Sequence, residues 1–279
     1  MSGPCLPPEI LDHIADFLYA SPKALKECCL VSKSWVPRTR QHLFANITLH
    51  TGDRLEAWTK AFPDPSTSPA YYTKSLSIDC PRVATAADAE PGGWITAFSR
   101  ATHLGLDNGS IITDKLATFL VPFHGFSPSL KSLSMNFTSL PSSRAFNLIL
   151  SFPLLEDLKV IAHFSAIGDD NDPGRLPALV QPSATPPKFT GSLELIMRGG
   201  AEHVARWLCL LSNGIHFRKL TITWNFEQDL SMTTALVERC SHTLEYIRVT
   251  CNPPGMSIQD LHPRRQLTSV RRRVGAGRG

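Results

Sequence analysis

Three carboxylates lie close together at Asp169, Asp170 and Asp172, and they are the first residues whose type suggests metal chemistry. Carboxylate oxygens suit Ca²⁺, and the common helix-loop-helix calcium loop also needs a glycine at its sixth position and an acidic ligand at its twelfth. A loop that begins at Asp170 has Arg175 and Gln181 at those positions. We therefore predict no metal site.

No other set of residues indicates catalysis. The sequence lacks the glycine-serine elbow of hydrolases, the paired-histidine helix of zinc proteases and a phosphate-cradling glycine loop. Its ten histidines are scattered, and its seven cysteines include no pair at the usual zinc spacing. We expect a protein that is not an enzyme and that needs no cofactor.

Basic charge is concentrated in residues 263–279. Six of the 28 basic residues and no acidic one follow Asp260, and the remaining 22 nearly balance the 24 acidic residues. This glycine- and arginine-rich tail is predicted to be disordered. It would suit a nuclear import signal, a nucleic-acid arm or simply a solvated terminus. Because it has no aromatic residue for base stacking, we do not expect nucleic acid as a partner.

The sequence predicts an intracellular protein, in the cytoplasm, the nucleus or both. Its first residues contain no basic stretch followed by an apolar signal core, and the densest apolar run, at 207–211, is too short to cross a bilayer. We expect no membrane partner. In a reducing compartment the cysteines should be reduced thiols in the protein core.

The first fifty residues have the pattern of three short amphipathic helices. Pro8 and Glu9 suit a first helical turn, where a missing N–H is tolerated and an acidic side chain is favoured. Ser21 before a proline indicates the start of a second helix, and a third is predicted around 35–44. Three such helices bury little apolar area between them, so a partner surface is expected. The stripe of the first helix consists of Ile10, Leu11, Ile14, Phe17 and Leu18.

Three segments of this region together resemble the F-box, in its fungal style. They are LPPEIL at 6–11, CLVSKSW at 29–35 and Leu43-Phe44, and they follow the order and spacing of that family over residues 4–48. Ala24 departs from the pattern, because an acidic residue often precedes the leucine of the second helix. An ordinary three-helix cap on a repeat protein is the alternative interpretation.

The resemblance implies a partner and a set of positions. F-boxes bind the Skp adaptor of cullin-RING (SCF) ubiquitin ligases, which makes residues 1–50 the predicted docking domain. The positions that would contact the adaptor or support the contact are Leu6, Pro7, Ile10, Leu11, Ile14, Leu18, Leu25, Val31 and Trp35.

Beyond residue 50, short segments with alternating apolar and polar residues recur as strands do. Their central leucines or isoleucines lie 25 to 29 residues apart, apart from one interval of 37, which matches a leucine-rich-repeat period. Helical patterns lie between them, at 94–101, 111–123, 143–152, 202–211 and 232–240. The segments are 75–78, 103–106, 130–135, 155–160, 193–195, 217–222 and 244–249, and 46–49 is a candidate first strand.

The predicted fold class is therefore α followed by α/β. A three-helix F-box precedes an irregular leucine-rich-repeat-like solenoid over 51–262, with parallel strands inside and helices outside. The Pro- and Gly-rich stretch at 168–191 is interpreted as a loop insertion in the long interval. The asparagine expected after each repeat strand is mostly absent.

Strand alternation also predicts where a protein target would bind. If the central leucines point into the core, their neighbours point to the concave face, and the largest of these are Lys159, Lys219, Tyr246 and Arg248. Ordinary solvated strand residues would give the same pattern. We expect an SCF substrate-recognition subunit; the alternatives are a Skp-binding scaffold without ligase activity and a nucleic-acid-associated repeat protein.

Overall fold

The computed structural model describes residues 6–49, 52–64, 67–79, 94–107, 123–124, 126, 128–137, 142–163, 187–198, 201–211, 214–225 and 231–252. These residues form seven α-helices and eight β-strands. The predicted mixture of helices and parallel strands is confirmed. The Asp169 cluster, nearly all of the helix predicted at 111–123, most of the insertion at 168–191 and the tail at 263–279 lie outside the described residues.

The first three helices are short, and each begins at or next to a proline. Helix α1 is Pro8–Phe17, α2 is Pro22–Val31 and α3 is Val36–Leu43, with a 3-10 turn at Lys33–Trp35 before α3. Both α1 and α2 pack against α3. Because each helix has only two or three turns, the shared core is small: its buried side chains are Leu11, Ala15, Leu25 and Thr39.

The eight strands form one parallel sheet in which each strand pairs with the next one in the chain. A strand lies at each of the seven predicted segments and at the candidate first one. The strands are β1 Asn46–Leu49, β2 Ser75–Asp79, β3 His103–Asp107, β4 Ser132–Phe137, β5 Asp157–His163, β6 Ser192–Arg198, β7 Lys219–Asn225 and β8 Tyr246–Asn252.

The sheet register places apolar side chains, buried on β1 to β7 and half-buried on β8, in two continuous rows. One row runs from Ile47 through Leu133 to Ile247, and the other from Leu49 through Met135 to Val249. The helices α5 (Ser142–Leu150), α6 (Ala201–Leu210) and α7 (Ser231–Cys240) contribute to the same core, and α6 lies between the other two. The opposite sheet face therefore carries the alternate, polar positions.

Two local predictions differ from the structure. Helix α4, Gly52–Ala61, was not predicted, because four apolar residues in ten, two of them alanines, give only a weak stripe. Its Trp58 ring lies 6.0 Å from Phe44 and 5.6 Å from Phe98, so it joins the first helices to the sheet core. The helix predicted at 94–101 is only a 3-10 turn, at Ile95–Phe98. Phe98 and Ala101 fill the core from this short turn.

Candidate interaction surfaces

Helix α1 presents an apolar face that nothing in the described chain covers. Ile10, Ile14 and Phe17 recur every three or four residues, so they lie on one face of the helix. Their exposed fractions are 44%, 37% and 86%, respectively, and Leu6, just before the helix, is 51% exposed. The opposite side of α1 buries Leu11 and Ala15 against the small helical core. Exposure of this many large apolar side chains on one short helix is typical of a docking surface.

More exposed apolar side chains lie near the C-terminal end of each of the two helices α1 and α2. Tyr19 in the turn after α1 is 68% exposed, while Leu30 and Val31 at the end of α2 are 87% and 74% exposed. We call Leu6, Ile10, Ile14, Phe17, Tyr19, Leu30 and Val31 the N-terminal apolar surface. Seven of the eleven strongly exposed large apolar residues among those described thus lie within 26 residues of sequence.

Charged contacts hold α1 onto α3 behind this surface. The two carboxylate oxygens of Asp16 accept hydrogen bonds from Nε and Nη2 of Arg38, at 2.6 Å and 2.7 Å, and His42 Nε2 lies 2.7 Å from Asp16 Oδ1. The hydrogen bond from Arg38, followed by that from His42, holds the pKa of Asp16 well below its usual range. The same contact raises the pKa of Arg38. This bidentate pair fixes the angle between the helices.

A second contact joins α2 to α3. Cys29 Sγ lies 2.8 Å from Thr39 Oγ1, and the Thr39 hydroxyl also lies 2.7 Å from the Trp35 carbonyl oxygen. Thr39 is fully buried, and these two contacts supply its hydroxyl with hydrogen-bond partners inside the helical core.

The structure divides the nine positions of the predicted adaptor site into two groups. Leu11 and Leu25 are 6% and 1% exposed, which fits a supporting role rather than contact, and Leu18 and Trp35 are half-buried. Sequence reasoning left Phe17, Tyr19 and Leu30 out of the site, although an α1 face that includes Ile10 and Ile14 also includes Phe17. The remaining five predicted positions are exposed: Leu6, Pro7, Ile10, Ile14 and Val31.

The second surface is the sheet face opposite the core, which we call the polar face. One register row across all eight strands consists of Thr48, Ser77, Gly105, Ser134, Lys159, Glu194, Thr221 and Arg248. Its residues are small on β1 to β4 and long and charged on β5, β6 and β8.

The four predicted target-binding residues do not form one cluster. Lys219 and Tyr246 are exposed and lie opposite each other in the register of β7 and β8, and half-buried Arg248 is two residues further along β8. Lys159 lies two strands away, on β5, where its Nζ is 2.9 Å from Glu194 Oε1. The structure thus unites three of the four residues and assigns Lys159 an ion-pair partner that the sequence did not indicate.

Two apolar residues in the middle of the polar face were also not predicted from the sequence. Ile161 and Ile196 are adjacent in register on β5 and β6, and both are half-buried. In the same row Asp79 and Asp107 lie on β2 and β3. Along this row the residues therefore change from acidic on β2 and β3 to apolar on β5 and β6 and to threonine on β7 and β8, while the basic side chains Lys219 and Arg248 lie in other rows of the same face. The signal for the isoleucines was present, since Val160-Ile161 and Leu195-Ile196 break the alternation with two consecutive apolar residues.

No group of three metal-ligating side chains occurs among the described residues, and no described helix is long and apolar enough to cross a membrane. Cys28, Cys29, Cys209 and Cys240 are free thiols. The sequence matches no protein-family model and no curated protein.

Proposed function

We propose that this chain is the substrate-recognition subunit of an SCF-type ubiquitin ligase. Residues 1–50 act as an F-box that docks a Skp-family adaptor, and the strand-helix region acts as an irregular leucine-rich-repeat-like solenoid that holds a protein target. The chain then contributes proximity between target and ligase, without bond chemistry of its own.

The N-terminal apolar surface is the observation that carries this proposal. Large apolar side chains on α1 and at the end of α2 are exposed where the F-box resemblance places the adaptor contact. Moving one such side chain from full exposure to full burial is favourable by about 1.5–3 kcal/mol before the costs of association are subtracted. The sequential order of the eight parallel strands supports the solenoid, because strands in a solenoid contact only their neighbours.

The direct test is capture of a Skp adaptor by the purified full chain. Ile10→Ser combined with Phe17→Ser should weaken capture at least tenfold, because truncating an interface anchor costs about 2 kcal/mol. Leu154→Ser is the matched control, since Leu154 is 54% exposed but lies between α5 and β5. Leu6→Ala with Pro7→Ala should also weaken capture. Unchanged Skp capture by the Ile10→Ser, Phe17→Ser double variant would reject the F-box assignment.

Recruitment of cullin distinguishes a ligase subunit from a Skp-binding scaffold. Affinity purification of the chain from cells should yield cullin together with Skp. Skp without cullin would instead identify the scaffold.

A further inference from the structure

A cleft lies where the helical region meets the start of the sheet. It has a volume of about 450 Å³ and is lined by side chains of α3, the 3-10 turn at Pro69–Tyr72 and the residues that precede β2 and β3. We propose that this cleft binds a phosphate group carried by a small molecule. The site lies apart from the N-terminal apolar surface, and the proposal does not depend on the proposed function.

The lining is strongly cationic. Arg38, His42, Lys74 and Arg100 all contribute to the wall, and none of the lining residues is acidic. The side chains of Lys74 and Arg100 form no ion pair with any described residue and are exposed to solvent in the cleft mouth. Arg38 pairs with Asp16, but the charges of Lys74 and Arg100 are held near each other without an acidic partner among the described residues, an arrangement that attracts anions.

The charge in the cleft matches that of a phosphate monoester. Arg38, Lys74 and Arg100 supply three permanent positive charges, and Asp16, bound to Arg38 behind the wall, offsets one of them. Two positive charges remain, and a phosphate monoester carries about 1.5–2 negative charges at neutral pH. A carboxylate would neutralise only half of this charge.

The Arg100 guanidinium and the backbone of Lys74 are also held in place before a ligand arrives. The Arg100 guanidinium carbon lies 3.8 Å from the centre of the Tyr71 ring, and this ring packs edge-to-face with Tyr72 at 5.7 Å. The backbone of Lys74 is fixed on both sides: its N–H donates to Ala45 at 2.8 Å, and its carbonyl oxygen accepts from Thr102 N–H at 2.9 Å. Binding therefore costs little ordering of the backbone.

The roles of the three cations differ. Arg38 has its Nε and Nη2 donors on Asp16 and its Nη1 on Gln41 at 2.8 Å, so it contributes charge more than free hydrogen-bond donors. Arg100 and Lys74 retain the donors that a phosphate oxygen needs. The cleft volume exceeds that of a bare phosphate ion and falls within the range of small-molecule sites, which favours a phosphate ester over the free ion.

Isothermal titration calorimetry on the full chain tests the proposal with two probes, inorganic phosphate and glycerol phosphate, in buffers matched in ionic strength with sodium chloride. We expect both probes to bind, glycerol phosphate more tightly. Lys74→Gln combined with Arg100→Gln should weaken binding at least tenfold. The charge-retaining variant Lys74→Arg should keep it, and so should Arg239→Gln, which removes an exposed cation of α7.

Each outcome is decisive. Binding of both probes, or of glycerol phosphate alone, followed by loss in the double variant, supports the site; glycerol phosphate alone identifies an ester as the ligand. If neither probe binds, if inorganic phosphate alone binds, or if wild type and the double variant bind equally, the proposal is overturned. Should the double variant unfold, a single Arg100→Gln chain with an unchanged circular dichroism spectrum gives the same comparison.

Discussion

Asp16 on α1 and Arg38 on α3 form a bidentate ion pair across 22 residues of sequence, with both oxygen–nitrogen distances at or below 2.7 Å. The pair is about one-third exposed on each side, so solvent screens part of its attraction. Its main effect is geometric: it holds the helix that carries Ile10, Ile14 and Phe17 at a fixed angle to the rest of the chain.

Replacing Asp16 should lower stability in a pH-dependent way. The folded-state pKa of Asp16 is depressed, so its contribution is complete above the unfolded-state pKa of about 3.9 and is lost as pH falls further. Asp16→Asn should therefore melt a few degrees below wild type at neutral pH, and the gap should shrink below about pH 4. Thermal unfolding monitored by circular dichroism at several pH values measures this difference in melting temperature. Glu27→Gln, an exposed change on α2, should show no such gap; a gap independent of pH would contradict the assigned role.

A buried and an exposed residue of α1 should give opposite phenotypes. Leu11 is 6% exposed, so Leu11→Ala should cost about 2–4 kcal/mol of unfolding free energy, whereas Phe17→Ala, at an 86% exposed position, should leave stability nearly unchanged. Phe17→Ala should weaken Skp capture if the proposed function holds. Denaturant titration and capture assays separate the two effects. A large loss of stability in Phe17→Ala would show that this side chain packs within the chain.

Gly191 should tolerate no side chain. A Cβ there would lie 2.5 Å from Asp157 Oδ1, the oxygen that accepts hydrogen bonds from Ser192 N at 2.7 Å and Ser192 Oγ at 2.6 Å. Gly191→Ala should therefore displace Asp157 and cost about 1–3 kcal/mol. Gly105→Ala is the matched control, because its Cβ would meet only the rotatable Ser77 hydroxyl, at 3.1 Å. Equal unfolding midpoints for the two variants would refute this explanation.

The buried thiols should react slowly with alkylating reagents. Burial raises the pKa of Cys209 and of Cys240 to about 11, and only the thiolate is nucleophilic. Their alkylation in the folded protein should therefore rise about tenfold per pH unit from pH 7 to 10. Mass spectrometry of timed iodoacetamide reactions locates the labelled sites. Rapid labelling at pH 7 without unfolding would show that these thiols are accessible.

The basic end of the polar face should be needed for target capture. Lys159→Glu, Tyr246→Ala and Arg248→Glu together should abolish recovery of the target while Skp capture and folding stay intact, because exposed Tyr and Arg are frequent interface anchors. Quantitative affinity capture with proteasome inhibition measures the loss. Since Lys159 pairs with Glu194, Glu194→Gln alone is a useful companion: it breaks the ion pair but leaves the β7–β8 cluster. Full target recovery by the triple variant would move recognition to the loops, first to the 168–191 insertion.

Alternation along the chain was enough to locate the strands and their buried residues. Leu133, Leu158 and Leu220 are at most 1% exposed, as a period of two requires. The pairing of distant polar groups was not predictable in the same way. Lys159 and Glu194 are 35 residues apart, and their contact depends on how the interval between β5 and β6 returns the chain to register.

The helical region shows the same limit. The apolar stripe of α1 was visible in the sequence. An amphipathic pattern, however, does not tell which of its apolar side chains are buried within the chain and which stay exposed. Leu11 is buried and Ile10, one position earlier, is 44% exposed, because α3 covers only one side of α1. Three helices of eight to ten residues cannot enclose every apolar side chain that they carry.

Because the eight strands lie side by side in chain order, position along the sequence maps linearly onto position across the polar face. A contiguous stretch of gene therefore encodes a contiguous stripe of surface. Recombination between two such chains at matching points would transfer an intact section of the face, such as the β7–β8 end, without mixing in residues from the other strands. The residues at one end of the face can thus change while those at the other end are retained.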